Sequence, residues 1–512
     1  MHKKIIYRSV LIVTLVLSCS CNKYLTLYPQ NGTIRQQFWQ NKEQLQSAVI
    51  GVYASLIQGV PDGGTSKTQG NLQMAETLFK WGELRADNIT TPLAGSYVDD
   101  VNVMNGNILP TNYLVQWYSL YRTINLCNTV LLYAPGVISI DPTLTQTQLN
   151  AYMAEALTVR ALMYFYLVRT FGDVPMKLTP TSTDNDLVLL PTTPQATIIK
   201  QILSDLSTAE GNAVYTYGVV AYDKGRVTRY TINALQADIY LWTYDYTDCI
   251  TACNKIINSG QFGLVAGDGN FFSTVYSNGN SSESIFEFQY DGSTTQTNPF
   301  YQMFYTNTGG SLAAQINVQG SLFPVDPNNP KNVDVRAAIA SNGGTGAISK
   351  WIGTPNSTAT LTAATSYRHW IVYRYAEILL FKAEAEAFTG QGQDALNLVQ
   401  QIQTRANAII VPGTSLTLPA ANDPVGVSNY VLDERDREFI FEGKRWYDLV
   451  RYARRNFPTT LPILTAPILV NASPALQQII LTKYQDPNSL YLPIYYTELQ
   501  LDPNLIQNPF YK

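Results

Sequence analysis

The chain has 512 residues, 46% of them hydrophobic and 14% charged, with a formal net charge of −4. That length suffices for a large core or two domains, and the lack of any basic stripe excludes a nucleic-acid binder. Five cysteines in so long a chain exclude a disulfide scaffold, and two histidines, His2 and His369, leave little material for a histidine triad or a His-ligated zinc.

The amino terminus opens with Lys3, Lys4 and Arg8, and an apolar run from Ser9 to Leu17 follows. A positive end, a short apolar core and a small-residue exit are the parts of a secretory signal. The run is about half of what spans a bilayer. Cysteine at the exit matches a lipoprotein signal, in which acyl chains on the new terminal cysteine hold the protein on a membrane. Two registers compete. Cys19 has Val16 and Ser18 at −3 and −1, the better lipobox, whereas Cys21 has Ser18 and Ser20.

Helical patterns come next. Residues 41–59 and 114–134 read as helices, and in 154–175 the three-four spacing of Ala156, Val159, Met163, Tyr166 and Leu167 gives one apolar face, stopped by Gly172 and Pro175. Residues 193–211, 228–243 and 246–260 continue the series. In 228–243, Ala234, Ala237 and Leu241 form a narrow seam. Cys249 and Cys253 sit four apart in 246–260 and read as buried thiols. Later pairs are 373–390 with 392–409, followed by a long helical stretch over 433–455. Helix pairs with alanine at the contacts resemble tetratricopeptide repeats, without a clean period. The fold class expected is mainly α, an irregular tetratricopeptide-like scaffold over about 41–84, 114–260 and 373–512.

Two insertions of another character interrupt it. Residues 85–113 are rich in Asn, Asp, Gly and Tyr, and residues 261–372 are similar, with a strand expected in 283–292. Long insertions on a rigid scaffold are where binding surfaces are built. A sugar site needs flat aromatic platforms beside groups that both donate and accept hydrogen bonds. Tyr97, Asn102 and Asn105 in the first insertion and Tyr290, Tyr301 and Tyr305 in the second are the candidates. Trp81 and Trp351 are next in line.

Catalytic constellations are missing: there is no G-x-S-x-G elbow and no Walker A loop. Glu434, Asp436, Glu438 and Glu442 alternate with Arg435, Arg437, Lys444 and Arg445, an arrangement that makes ion pairs rather than a glycosidase acid–nucleophile pair. No catalytic residue, cofactor or metal ligand is assigned.

Five stretches in order now resemble the SusD/RagB family of outer-membrane nutrient-binding lipoproteins: "CNKYL" (21–25), "AEALTVRALMYFYLVRTFGDVPM" (154–176), "RYAEILLFKAEA" (374–385), "ERDREFIFEGKRWYDLVRYAR" (434–454) and "YLPIYYTELQLDPNLIQNPFY" (491–511). The resemblance spans essentially all of 21–512, which implies one SusD-like domain after a signal peptide of residues 1–20. It favours Cys21 as the lipidated residue, although Ser18 departs from the usual lipobox. It further implies a surface-exposed, lipid-anchored outer-membrane protein that captures oligosaccharides without cleaving them and delivers them to a SusC-like TonB-dependent transporter. A peptide-binding, RagB-like member is the alternative, with a glycoside hydrolase behind it. The charged signature residues are expected to form a packed ion-pair network, and Trp446 to lie in a core.

Overall fold

The computed structural model describes residues 38–58, 72–92, 97–294, 296–304, 311–315, 320–329, 331–341, 345–354, 359–409, 416–470 and 472–512. Cys21, the signal segment before it and Tyr305 lie outside the described residues. In chain order the elements begin with α1 (Lys42–Ile57), α2 (Met74–Glu83), β1 (Ile89–Thr90), α3 (Val98–Met104), α4 (Tyr118–Val137), α5 (Gln146–Phe171), β2 (Val174–Pro175) and β3 (Thr192–Thr193). The middle of the chain forms α6 (Gln195–Asn212), α7 (Val220–Gly225), α8 (Arg229–Thr243), α9 (Tyr246–Ile257), β4 (Ser284–Phe288), α10 (Phe300–Phe304), β5 (Ala313–Ala314), α11 (Val335–Ala340), α12 (Ser349–Ile352) and β6 (Trp370–Arg374). The last part forms α13 (Tyr375–Phe388), α14 (Gly392–Ala406), α15 (Pro424–Phe439), α16 (Arg445–Arg455), α17 (Leu461–Val470), α18 (Pro474–Tyr484) and α19 (Tyr496–Leu501).

The mainly helical scaffold is as expected, and local chemistry explains its boundaries. Thr145 and Gln148 form a capping box at the start of α5, each bonding the other's backbone N–H, and Gly172 at φ 81° ends that helix. Asn407, in the left-handed region, ends α14. Consecutive helices pack as neighbours: α4 on α5, α5 on α6, α8 on α9 and α13 on α14. Ala234 and Ala237 are fully buried, so the small-residue seam of α8 lets its neighbours approach. Cys249 and Cys253 are buried free thiols in α9.

Two expectations need correction. The stretch 433–455 is two helices, because Phe441 (φ 64°) and Gly443 (φ 72°) turn the chain between α15 and α16. Phe439 is the last helical residue before it. The turn is pressed against α2 so tightly that a Cβ on Gly82 would lie 1.8 Å from the Gly443 carbonyl oxygen. The stretch 373–390 also begins as strand: Tyr373 and Arg374 end β6, which pairs antiparallel with β4. All ten residues of β4 and β6 are buried, so hydrophobic side chains on both faces override the helical spacing there.

The second insertion carries its own aromatic core. Phe300 packs on Trp351 (4.6 Å between centroids), Trp351 stacks on Trp370 (5.5 Å), and Phe304 meets Phe79 of α2 (4.8 Å). Rings contribute both area and geometry to such clusters, and this one seats the insertion on the scaffold.

Candidate functional site

The signature helices bind both insertions to the scaffold through buried charges. Glu434 and Glu438 of α15, and Glu442 in the turn after it, all reach side chains of the second insertion. Arg336 of α11 reaches Glu434 (2.6 Å) and Glu438 (3.0 Å), and Lys350 of α12 reaches Glu442 (3.0 Å). Arg374, fully buried, joins Glu283, Glu438 and Glu442 at 3.1, 2.6 and 2.9 Å, and Arg405 pairs with Glu283 and Glu438. Arg435 turns instead to Glu377 of α13 and Asp448 of α16. Asp436 faces the first insertion, where Asn88 Nδ2 donates to it at 2.7 Å and Arg445 bridges it to Asp87. Adjacent positions of one motif thus serve three different neighbours.

The carboxylates in this network are displaced by their surroundings. Burial pushes the Glu442 carboxyl up, but Arg374 and Lys350 overcome it and hold the group down at about 2. Burial likewise opposes ionisation of Glu438, and Arg405, Arg374 and Arg336 together hold it well below the usual range. These acids stay ionised and paired, the opposite of a protonated general acid.

The two insertions meet at a two-residue ladder. β1 pairs antiparallel with β5, Ile89 opposite Ala314 and Thr90 opposite Ala313, and Gln315 N donates to the Asn88 carbonyl at 2.8 Å. Over this ladder lies a cleft of about 160 Å³. Its polar side is Thr90, Thr91, Asn105 and Gln315, and its apolar wall is Met104, Ile468, Leu476 and Ile480. No hydrogen bond within the described residues engages the side-chain amide of Asn105 or Gln315, so each offers a free donor and a free acceptor. The volume is below the ~300–1,000 Å³ of sites that engulf a drug-sized ligand, and suits a cleft that grips one unit of a longer chain.

Asn105, expected from sequence, is therefore in the cleft, at the carboxyl end of α3. Asn102, in the same helix, is half-buried but does not line it. Tyr97 precedes α3 with its ring 5.4 Å from the Lys80 ammonium. Lys80 is buried between Glu76 and Asp100 (3.0 Å each) and donates to the Tyr113 hydroxyl (2.7 Å), so this cluster clamps α3 onto α2. Tyr301 is half-buried, its backbone N–H on Ser366. Tyr290 is a correction: only 3% exposed, it lies in the hydrophobic core and offers no open face. Trp81 and Trp351 are buried too, each donating its indole N–H to a backbone carbonyl, of Leu114 and Phe441. Gln315 and the wall from α17 and α18 were not expected. Gln315 sits in the second insertion with no aromatic neighbour in sequence to flag it.

A larger cavity of about 490 Å³ lies within the second insertion, between Phe271, Phe272, Val335 and Ile339. It contains no residue of the first insertion. The cleft over the ladder is preferred because it joins both insertions and presents unengaged amides opposite an apolar wall.

Two family models divide the chain: the SusD family matches residues 286–511, and a family described as starch-binding and associating with the outer membrane matches residues 24–241. The chain belongs to the SusD family. Among curated relatives, SusD-like protein P38 of Formosa agariphila is 26% identical over 495 residues, covering 88% of this chain and 91% of that protein. A SusD superfamily structure from Bacteroides vulgatus superposes with a TM-score of 0.75 at 21% identity, covering 92% of this chain and all of that one. A laminarin-binding SusD-like protein superposes with a TM-score of 0.66 at 20% identity, covering 92% of this chain and 99% of that one. Carbohydrate binding and association with the outer membrane are thus the properties the family descriptions name. Among the described residues, no helix is long and apolar enough to cross a membrane.

Proposed function

We propose that this SusD-family chain is a non-catalytic, cell-surface glycan-binding lipoprotein. It is anchored in the outer membrane by acyl chains on Cys21, captures oligosaccharides in the cleft over the β1–β5 ladder and passes them to a SusC-like TonB-dependent transporter. The observation that carries this reading is the pairing of two unengaged amides, Asn105 and Gln315, with the apolar wall of Met104, Ile468 and Leu476. A sugar ring presents hydroxyls that both donate and accept at its rim and C–H groups on its faces, and an amide side chain answers the first as an apolar wall answers the second. Arginine and lysine partners hold Glu438 and Glu442 ionised, which argues against either serving as a protonated general acid for hydrolysis. The laminarin-binding relative makes laminarioligosaccharides the first probe.

The test is calorimetric titration of the lipid-free protein with a glycan panel that includes laminarioligosaccharides. Saturable binding without change in the glycan, weakened about fivefold or more by Asn105→Ala or Gln315→Ala, is expected, since one lost hydrogen bond costs on the order of 1 kcal/mol. Binding that both variants leave untouched moves the site elsewhere, and glycan cleavage that survives repurification defeats the non-catalytic reading.

A further inference from the structure

The cleft over the β1–β5 ladder is built from stretches of chain that carry no charge. Every residue that lines it except Ala86 comes from one of four runs, 88–98, 101–121, 292–325 and 456–482. None of these runs contains Asp, Glu, Lys, Arg or His, in a chain that is 14% charged. The charged side chains closest in sequence to the lining residues are engaged elsewhere. Asp99 accepts from the Tyr113 backbone N–H (3.1 Å), and Asp100 pairs with Lys80 (3.0 Å). Arg85, beside Ala86, is buried with its guanidinium 4.0 Å from the Trp446 ring and donates to the Leu490 carbonyl, and Asp87 accepts from Arg445. Asp326, past the third run, accepts from the Asn328 backbone and the Asn332 side chain. Lys483, the first cation after the last run, gives its ammonium to the Gly106 carbonyl (2.6 Å).

Asp, Glu, Lys and Arg ordinarily populate the exposed positions of a protein, so uncharged runs of this length converging on one surface cleft bear on what the cleft holds. An ionised ligand group entering it leaves water and meets no opposite charge, which costs far more than placing a hydroxyl there. The amides point the same way. Asn105 and Gln315 each present a donor and an acceptor, as a sugar hydroxyl does. A carboxylate or sulfate only accepts, so each amide carbonyl repels it. We propose that the cleft selects uncharged glycan units and rejects those bearing a carboxylate or a sulfate, so that its ligand is a fragment of a neutral polysaccharide rather than of a uronate or sulfated one. This rests on the glycan site proposed above and narrows its ligand by charge. Recognition of this kind has its own signature, an affinity indifferent to salt, because no ion pair is there to be screened.

The test sets neutral hexasaccharides against the same chains carrying charge. Laminarihexaose, maltohexaose and mannohexaose, and the counterpart of each with its primary hydroxyls oxidised to carboxylates, are titrated calorimetrically into the lipid-free protein at about 50 mM and about 500 mM NaCl. At least one neutral chain is expected to bind, with a Kd that shifts less than about twofold between the two salt concentrations. Its oxidised counterpart is expected to bind at least about tenfold more weakly at the lower salt, the result of desolvating a charge without a partner. A smaller penalty, or a charged chain held through Lys483 and lost in Lys483→Met, overturns the proposal. So does a neutral Kd that moves with salt by more than that limit. In each of these cases the glycan site itself stands as long as Asn105→Ala or Gln315→Ala weakens binding. If no neutral chain binds, or if neither of those variants weakens binding, the proposed site falls and this proposal falls with it.

Discussion

Glu442→Gln removes one charge from the densest part of the network with almost no change of shape. Glu442 accepts from Arg374 Nη2 (2.9 Å) and Nε (3.1 Å), from Lys350 Nζ (3.0 Å) and from the Tyr276 hydroxyl (3.0 Å), and it is 1% exposed. Its carboxyl falls from the ordinary 4.5 to about 2 on folding. At 1.36 kcal/mol per pKa unit that is about 3 kcal/mol of stability. Breaking a buried pair from one side costs about 3–5 kcal/mol by a separate route, because the stranded cations stay desolvated. The sign follows from the depressed value: the contribution is complete above pH 4.5 and disappears as the pH falls toward 2. Denaturant unfolding of wild type and variant at a series of pH values is the assay. A deficit of about 3 kcal/mol at pH 7 that narrows steadily below pH 4.5 is expected. A deficit below about 1 kcal/mol at pH 7, the range of an exposed pair, or one that does not change with pH, refutes the reasoning. Because Lys350 belongs to the second insertion, the variant is also expected to raise exchange of the α12 amides before the scaffold melts.

Trp446 is fully buried with the Arg85 guanidinium 4.0 Å from its ring. Truncating such a side chain costs about 3–5 kcal/mol. With an unfolding entropy near 2.1 cal/mol/K per residue over 512 residues, Trp446→Ala lowers Tm by about 3–5 °C in a thermal melt, and a normal Tm with lost ligand binding would mean the ring is a ligand contact. Tyr290→Ala is expected to lower stability while leaving any measurable Kd unchanged, because the ring is in the core; the reverse pattern restores it as a platform. Cys21→Ala is expected to abolish acyl labelling and shift the protein out of the membrane fraction, whereas full labelling in that variant points to Cys19.

What was legible in the sequence was local. The helix pairs α4–α5, α8–α9 and α13–α14 announce themselves through three-four spacing within single segments, and the caps at Thr145 and Gly172 are side-chain chemistry a few residues long. The turn at 440–444 was hidden because charged residues continue at helical spacing across it, and only the close approach of α2 demands the break. The network was readable as ion pairing from the alternating charges of 434–445, but not its partners: Arg336 and Lys350 stand in loop-like sequence about a hundred residues away, and Glu283, at the head of an expected strand, is farther still. The site was the least legible part. Asn105 stood out by composition, but Gln315 lies in a strand of two residues, and α17, "LPILTAPILV", has two prolines and no polar face to orient it. Tyr290 misled because a loop-rich composition suggested exposure, whereas the segment folds beside a strand buried on both faces.

The separations along the chain have a consequence for how the molecule is completed. Gly443 reaches Glu83 across 360 residues, Arg445 reaches Asp87 across 358, and Asn88 reaches Asp436 across 348. A ribosome makes Glu83 and Asp87 long before it makes the Gly443 amide and the Arg445 guanidinium that they hold. Until α15 and α16 arrive, Glu83 lacks the two backbone amides, and Asp87 the guanidinium, that they hold in the finished fold. A truncation after α14 removes no residue of either insertion, yet leaves both without the struts that hold them.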